Sequence, residues 1–588
     1  MSKTTFPMVW DLDVFFEGGS TSKEFATYLL QLEEEIREVE KAVQVMEESA
    51  EGILAVLEQI TETSKKFGQA SAFVSCLQAQ NMNDKNADAL RGNVTTLSAT
   101  LSKVRTAFDV KISLIEEDKW ELILFDESIV EVSYVLNEKR EWAKQKLSYE
   151  QEALISSLST DGYHAWSQMY DVIVGSLKIN FNGKELSAGQ AANALHDANR
   201  EVRKELFAKW EEAWEEKEDY IAKALNHIAG YRLTVYKERG WEDVAFEPLK
   251  VNRMKKETLS SLWGAIEKNK GMLVQYLNRK AELLGVEKLA WYDVDAPIYN
   301  NTKDIPYDEG CNIIIDQFGK FGNQLKSFTE KALNEGWIEA EDRAGKRPGG
   351  FCTSFPLQEQ SRIFMTYSGT ASNVSTLAHE LGHAFHTFAM KDVHPLNKSY
   401  AMNVAETAST FAEMIVIDAV VKNASTKEEK IALLEEKIAT SVAFLMNIHA
   451  RFLFETNFYE ERKKGVVSTS IINELMLEAQ KEAYCDALSE YHPHFWASKL
   501  HFYITYAPFY NYPYTFGYLF SLGIYKKSLE SEGNFEETYM NLLKDTACMT
   551  VEDLAMKHLG ADLSKEDFWS SAIDVIKDDV AEFLELTK

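Results

Sequence analysis

Backbone breakers are scarce in this chain: only 10 prolines and 28 glycines are spread over 588 residues. Between them, apolar residues recur every three to four positions over long stretches, which is the spacing of a buried helix face. The sequence therefore predicts a mainly α-helical protein, long enough at 67.0 kDa for several folding units and a sizeable core. From Ser22 to about Lys111, apolar residues such as Phe25, Tyr28, Leu29, Leu32 and Ile36 mark several amphipathic helices, giving an N-terminal helical region over residues 1–115. A second helical region, 116–200, carries a β-hairpin: "LKINFNGKEL" alternates Leu177, Ile179 and Phe181 with polar neighbours around Asn182-Gly183, a pair favoured in tight hairpins. Ser187 then caps a helical run that reaches about Arg239. The remaining region, 201–588, breaks at "EDRAGKRPGGFCTSF", after which Phe351 to Phe355 and Arg362 to Tyr367 read as two short strands joined by a turn. There is no internal repeat.

Charge narrows the function. Lys and Arg number 63 against 92 Asp and Glu, a formal net charge of −29, and no stretch gathers a basic stripe for phosphate. Nucleic acid is excluded as a partner; the acids belong to solvated helix faces such as "LEEEIREVEKAV". Five cysteines stand far apart with no CxxC pair, and "MSKTTFPMVWDLDVFF" lacks the pattern of a secretory signal, so the expectation is a cytoplasmic protein with reduced thiols. Phe502 to Tyr525 carries no formal charge, yet two prolines, two glycines and seven tyrosines suit a cavity wall rather than a membrane span.

The chemistry concentrates in "TLAHELGHAFHTFAMK", residues 376 to 391, a helix that Ser372 or Asn373 can cap. Leu377, Leu381, Ala384, Phe385 and Phe388 share one side, and His379, His383 and His386 share the other, with Glu380 at the flank. His379-Glu380-Leu381-Gly382-His383 matches HExxH, in which two imidazoles one turn apart hold one Zn²⁺ and the glutamate acts on its water. Ala389 stands where a metzincin has its third histidine, so the third ligand lies elsewhere and His386 reads as a structural or supporting residue. "NVAETASTFAEMIVIDAVV", Asn403 to Val421, is apolar almost all round but contains Glu406 and Glu413 on nearly one face. A carboxylate in such a helix needs a metal or a cation. Glu406 is the expected third ligand, and Glu413 is a candidate to orient a ligand histidine.

"TLAHELGHAFH" followed by "VAETASTFAE" resembles the oligoendopeptidase F family, within the wider thimet-oligopeptidase group of zinc metallopeptidases. The resemblance implies one Zn²⁺ per chain on His379, His383 and Glu406, Glu380 as general base, and residues 201–588 as the catalytic domain. It also implies a two-sided helical shell around a deep channel, in which a short unfolded peptide lies along a small sheet edge beside the zinc. Relatives steady the oxyanion with a histidine and tyrosines of the region matching "HFYITYAPFYNYPYTFGYLF", which carries over to His501 and Tyr518. The spacing between those anchors departs from the thimet-type pattern, leaving Tyr514, then Tyr510 and Tyr512, as further candidates. The activity this implies is cleavage inside short peptides, with no membrane partner; the oligomeric state is not set by the sequence. The rival readings are a zinc exopeptidase, separated by terminal-only products, and a peptide-binding protein with structural zinc, which the complete HExxH opposes.

Overall fold

The computed structural model describes residues 5–299, 304–531 and 533–588, so the first four residues of the N-terminal stretch discussed above lie outside the described residues. The chain is mainly α-helical, and it gathers around two apolar cores. The smaller core belongs to the N-terminal helices Lys23–Val45, Ala50–Gln80 and Lys85–Ser113, where Phe25, Leu32, Leu57, Phe73 and Phe108 interlock. That core runs on through Trp120, Ile123 and Val132 to Leu136, so its packing boundary falls later than the expected edge at 115. A cavity of about 930 Å³ lies where this part meets the rest, with Asp109 and Tyr134 on one side and Phe246, Arg253 and Tyr400 on the other.

The expected hairpin is present as β1 (Ile179–Phe181) and β2 (Lys184–Leu186), with Asn182 and Gly183 both at positive φ in the two-residue turn. The helical run after it is interrupted, however. Ser187 caps only Ala188–Ala194, and Asn199 caps a separate helix, Arg200–Arg239. Between them the Asp197 carboxylate takes the Asn199 amide and the buried Arg203 guanidinium takes the carbonyls of Asp197 and Ala198, local bonds that outcompete a continuous helix.

A three-stranded sheet positions the site. β3 (Ile338–Glu339) pairs in parallel with β5 (Gln360–Phe364), and β4 (Phe351–Phe355) pairs antiparallel with β5, leaving β4 at the edge. β5 begins two residues earlier than expected because Glu359, at positive φ, closes a tight turn that puts Gln360 opposite Phe355. Phe355 and Phe364 drop into the N-terminal core, while Ser354 turns to Thr387 of the helix Ala371–Ala389. The sheet is thus wedged between the helix Ala50–Gln80 and the histidine helix. Behind the histidine helix, Thr407–Lys422, Tyr512–Glu530 and Glu566–Leu586 pack in succession and bury it in the larger core. No helix among the described residues is long and apolar enough to cross a membrane.

Candidate metal centre

The histidine helix starts at a capping box two to three residues earlier than expected: the Thr370 hydroxyl accepts from the Asn373 amide, and the Asn373 side chain accepts from the Thr370 amide. Its apolar face is buried as the pattern predicts. The helix Thr407–Lys422 crosses it at Gly382, where a Cβ would stand 2.4 Å from the Ala408 carbonyl oxygen and 2.6 Å from Ser409 Cα. Only a glycine allows that approach, and the approach delivers Glu406.

Glu406 does not lie inside a continuous helix. A short turn, Met402–Ala405, ends there, Glu406 takes a non-helical ψ of 2°, and Thr407 begins the next helix. The break is held from both sides. Asn403 bonds Asn252 through its amide and its side chain, and Gly517 lets the helix Tyr512–Glu530 come within 3.0 Å of the Asn403 carbonyl, measured from the Cβ it lacks. The Ser521 hydroxyl lies 3.2 Å from the Glu406 carbonyl. Ser409, which sequence reasoning passed over, donates to Glu406 Oε2 at 2.7 Å and aims the carboxylate.

His379 Nε2 and His383 Nε2 lie 3.2 and 3.4 Å from Glu406 Oε2, and one ligand atom from each of the three residues falls within 4.8 Å of the others. The second nitrogen of His379, Nδ1, meets Glu413 Oε2 at 3.2 Å, and the other oxygen of Glu413 accepts from Ser375 at 3.0 Å. That contact fixes which nitrogen faces Glu406, the usual arrangement behind a metal-bound histidine. Burial opposes charge on His379, but the carboxylates of Glu406 and Glu413 outweigh it and hold the ring's pKa up to about 10. A field that favours a proton there equally favours a cation, and two imidazoles with one carboxylate are a donor set suited to Zn²⁺.

Glu380 is 7% exposed, and its Oε2 has no hydrogen-bond partner. Burial raises its pKa, with His379 and His383 pulling the other way. A buried, unpartnered carboxylate beside a triad that could hold a metal ion is placed to handle a proton.

The chain matches the profile of peptidase family M3 over residues 193–574 and that of Oligopeptidase F over 111–179. The chain belongs to peptidase family M3. Among its curated relatives, an oligoendopeptidase F homolog of Lactococcus lactis is 22% identical over 100% of this chain and 98% of its own length. Oligopeptidase PepF of Bacillus subtilis is 22% identical over 98% of this chain and 87% of its own. The crystal structure of oligoendopeptidase-F from Enterococcus faecium superposes with a TM-score of 0.71 at 19% identity, covering 96% of this chain and 99% of that one. PZ peptidase A, solved with an inhibitor, gives 0.72 at 16%, covering 94% and 97%. The resemblance read from the histidine motif therefore holds along nearly the whole chain, and this M3 peptidase is a metalloendopeptidase of the mainly α kind expected.

In this M3 peptidase the uncharged segment splits its tyrosines into two sets. Tyr503, Tyr512, Tyr518 and Tyr525 turn inward, and their hydroxyls meet the Trp496 carbonyl, the Pro248 carbonyl, Ser441 and Asp418. Tyr518, expected at the oxyanion, is 2% exposed, stacked on Phe444, and committed to Ser441 at 2.7 Å. Tyr512 is likewise spent on Pro248 and Asn252. Tyr510 and Tyr514 instead cluster with His501, ring centroids 5.7 and 6.1 Å from it. Burial keeps both phenols protonated, and the Glu406 carboxylate lies close enough to add to the effect. Burial, reinforced by the charges of Arg451 and Lys499, pushes His501 down to about 4, so its imidazole is neutral, and its buried Nδ1 has no partner. The structure thus withdraws Tyr518 from the group around His501 and leaves Tyr510 beside Tyr514 there.

His386 takes the structural role its position in the motif suggested. It lies on the face of His379 and His383, but two turns along the helix that face is covered: the ring stacks on Tyr400 at 4.2 Å and Nε2 meets Thr546 at 2.9 Å. Burial drives its pKa down to about 3. It is a core histidine.

Proposed function

We propose that this chain is a zinc-dependent oligoendopeptidase that cuts internal bonds of short, unfolded peptides. The observation that carries this reading is the buried, unpartnered Glu380 carboxylate between His379 and His383, with Glu406 closing the triad. His379, His383 and Glu406 would hold the Zn²⁺, which when bound would supply a Lewis acid for the scissile carbonyl and lower the pKa of a water. Glu380 takes the water proton and later gives it to the leaving amine. His501, Tyr510 and Tyr514 offer neutral donors to the oxyanion. β4, an edge strand beside the histidine helix, offers backbone groups that an extended peptide can pair with, so side chains of many kinds are tolerated. Five free cysteines, with Cys76 and Cys311 buried, support a reducing compartment, and we place the enzyme in the cytoplasm.

The test is mass spectrometry of products from a mixture of short peptides and one unfolded protein, using zinc-loaded wild type and Glu380→Gln. Internal cuts in the peptides, absent with the variant, are expected. Products trimmed only at termini would replace the endopeptidase with an exopeptidase, and uncut peptides would leave a peptide-binding protein.

A further inference from the structure

We propose that the cavity beside Glu380 receives the side chain that follows the cleaved bond, and that Glu436 makes this pocket select lysine or arginine. The inference rests on the peptidase reading above and names its substrate preference. The cavity, about 360 Å³, opens between the N-terminal half of the histidine helix and the helix Lys427–Val442. Glu380 and His379 form one wall. Glu380 hands its proton to the leaving nitrogen, and that nitrogen belongs to the residue after the cleaved bond. The side chain of that residue therefore starts beside Glu380, whose buried Oε2 has no partner within the protein.

The other walls decide what fits. Met414 and Ile417 offer apolar surface for a methylene stem, and Ser372, Thr376 and Thr440 add hydroxyls. Three charged groups besides Glu380 line the space, and two are already engaged. Glu413 is held by His379 and Ser375. Lys437 is 7% exposed and binds Asp418 and Asp579 with its ammonium. Glu436 is different: it is exposed to solvent at the cavity's edge, its neighbours are Ser372, Glu413 and Glu435, and no cation stands beside it among the described residues. It also borders a second cavity of about 470 Å³ that carries Asp295 and Glu429. The buried cation of that cavity, Lys280, is bound to Glu435 and the Val294 carbonyl. A long cationic side chain entering past Glu380 meets an unmatched carboxylate at the far wall. A glutamate there meets repulsion, and an apolar chain gains nothing from Glu436, which stays hydrated.

The test is a peptide series identical except after the cleaved bond, where lysine, arginine, glutamine, leucine and glutamate are compared by kcat/KM. Wild type should favour lysine and arginine over glutamine by about twofold to fivefold, the effect of one solvent-exposed ion pair, with glutamate the poorest. Glu436→Gln should collapse the lysine-to-glutamine ratio to about one, and Glu436→Lys should invert the order in favour of glutamate. Melting curves confirm that both variants are folded. Equal rates across the series in wild type, or a lysine-to-glutamine ratio untouched by Glu436→Gln, would overturn the assignment while leaving the peptidase intact. No cutting of any member would remove the peptidase reading and this inference together.

Discussion

The proposed metal-binding half of the site rests on two helices packed so closely that Gly382 has no room for a Cβ, whereas the tyrosine-rich half passes from the short 3₁₀ turn Leu500–Phe502 through irregular backbone to Asn511 before its helix begins. On the first half two of the three candidate ligands are aimed by a neighbour: Glu413 holds His379, and Ser409 holds Glu406. On the second, His501 keeps a free Nδ1, and Tyr506, at its outer edge, is 76% exposed. The difference matches the work. A metal site needs fixed geometry before substrate arrives, which helices and supporting hydrogen bonds provide. Donors for a transient oxyanion need only converge once the peptide is in place, and such bonds are often loose without it.

Substitutions can break this comparison, starting with the largest expected effect. Glu380→Gln should lower kcat by about 10²- to 10⁴-fold with metal content unchanged, because the ligands remain and the base does not. Atomic absorption beside a peptide assay checks both halves of that statement. Tyr510→Phe should cost kcat about 10²-fold with little change in KM, as expected for one lost oxyanion donor. Tyr518→Phe should leave the rate near wild type and remove about 1 kcal/mol of stability, the worth of its bond to Ser441. The reverse pattern would return the oxyanion role to Tyr518. Glu413→Gln should weaken metal binding by about 10- to 100-fold in a chelator competition. Gly382→Ala sharpens the contrast further: wedging a methyl against the Ala408 carbonyl should cost about 1–3 kcal/mol by chemical denaturation. An equal loss of stability from Tyr510→Phe would show that the two halves are equally rigid.

What could be read in the sequence follows the same division. His379, Glu380 and His383 sit one helical turn apart, so local spacing alone places them together, and Glu406 betrays itself as an acid in an apolar helix. The break at Glu406 was hidden because Asn252, Gly517 and Ser521 come from elsewhere in the chain. Gly382 and Ser409 carry no signal until the crossing helix is known. Tyr503, Tyr506 and Tyr510 precede the helix Tyr512–Glu530, and that helix is buried along most of its first half, so which tyrosines gather around His501 and which turn to Ser441 or Pro248 was settled only by the fold. The hairpin at Asn182-Gly183 was legible because its turn chemistry is local, and the strand before Tyr367 slipped by two residues because its register depends on Glu359.

The most direct test of the account is a crystal structure of the zinc-loaded protein with anomalous data collected at the zinc edge. One peak about 2.0–2.2 Å from His379 Nε2, His383 Nε2 and a Glu406 carboxylate oxygen, with Glu380 outside the ligand set, is the predicted result. A peak held by Glu380 or His386, or a fourth protein ligand closing the coordination sphere, would contradict it.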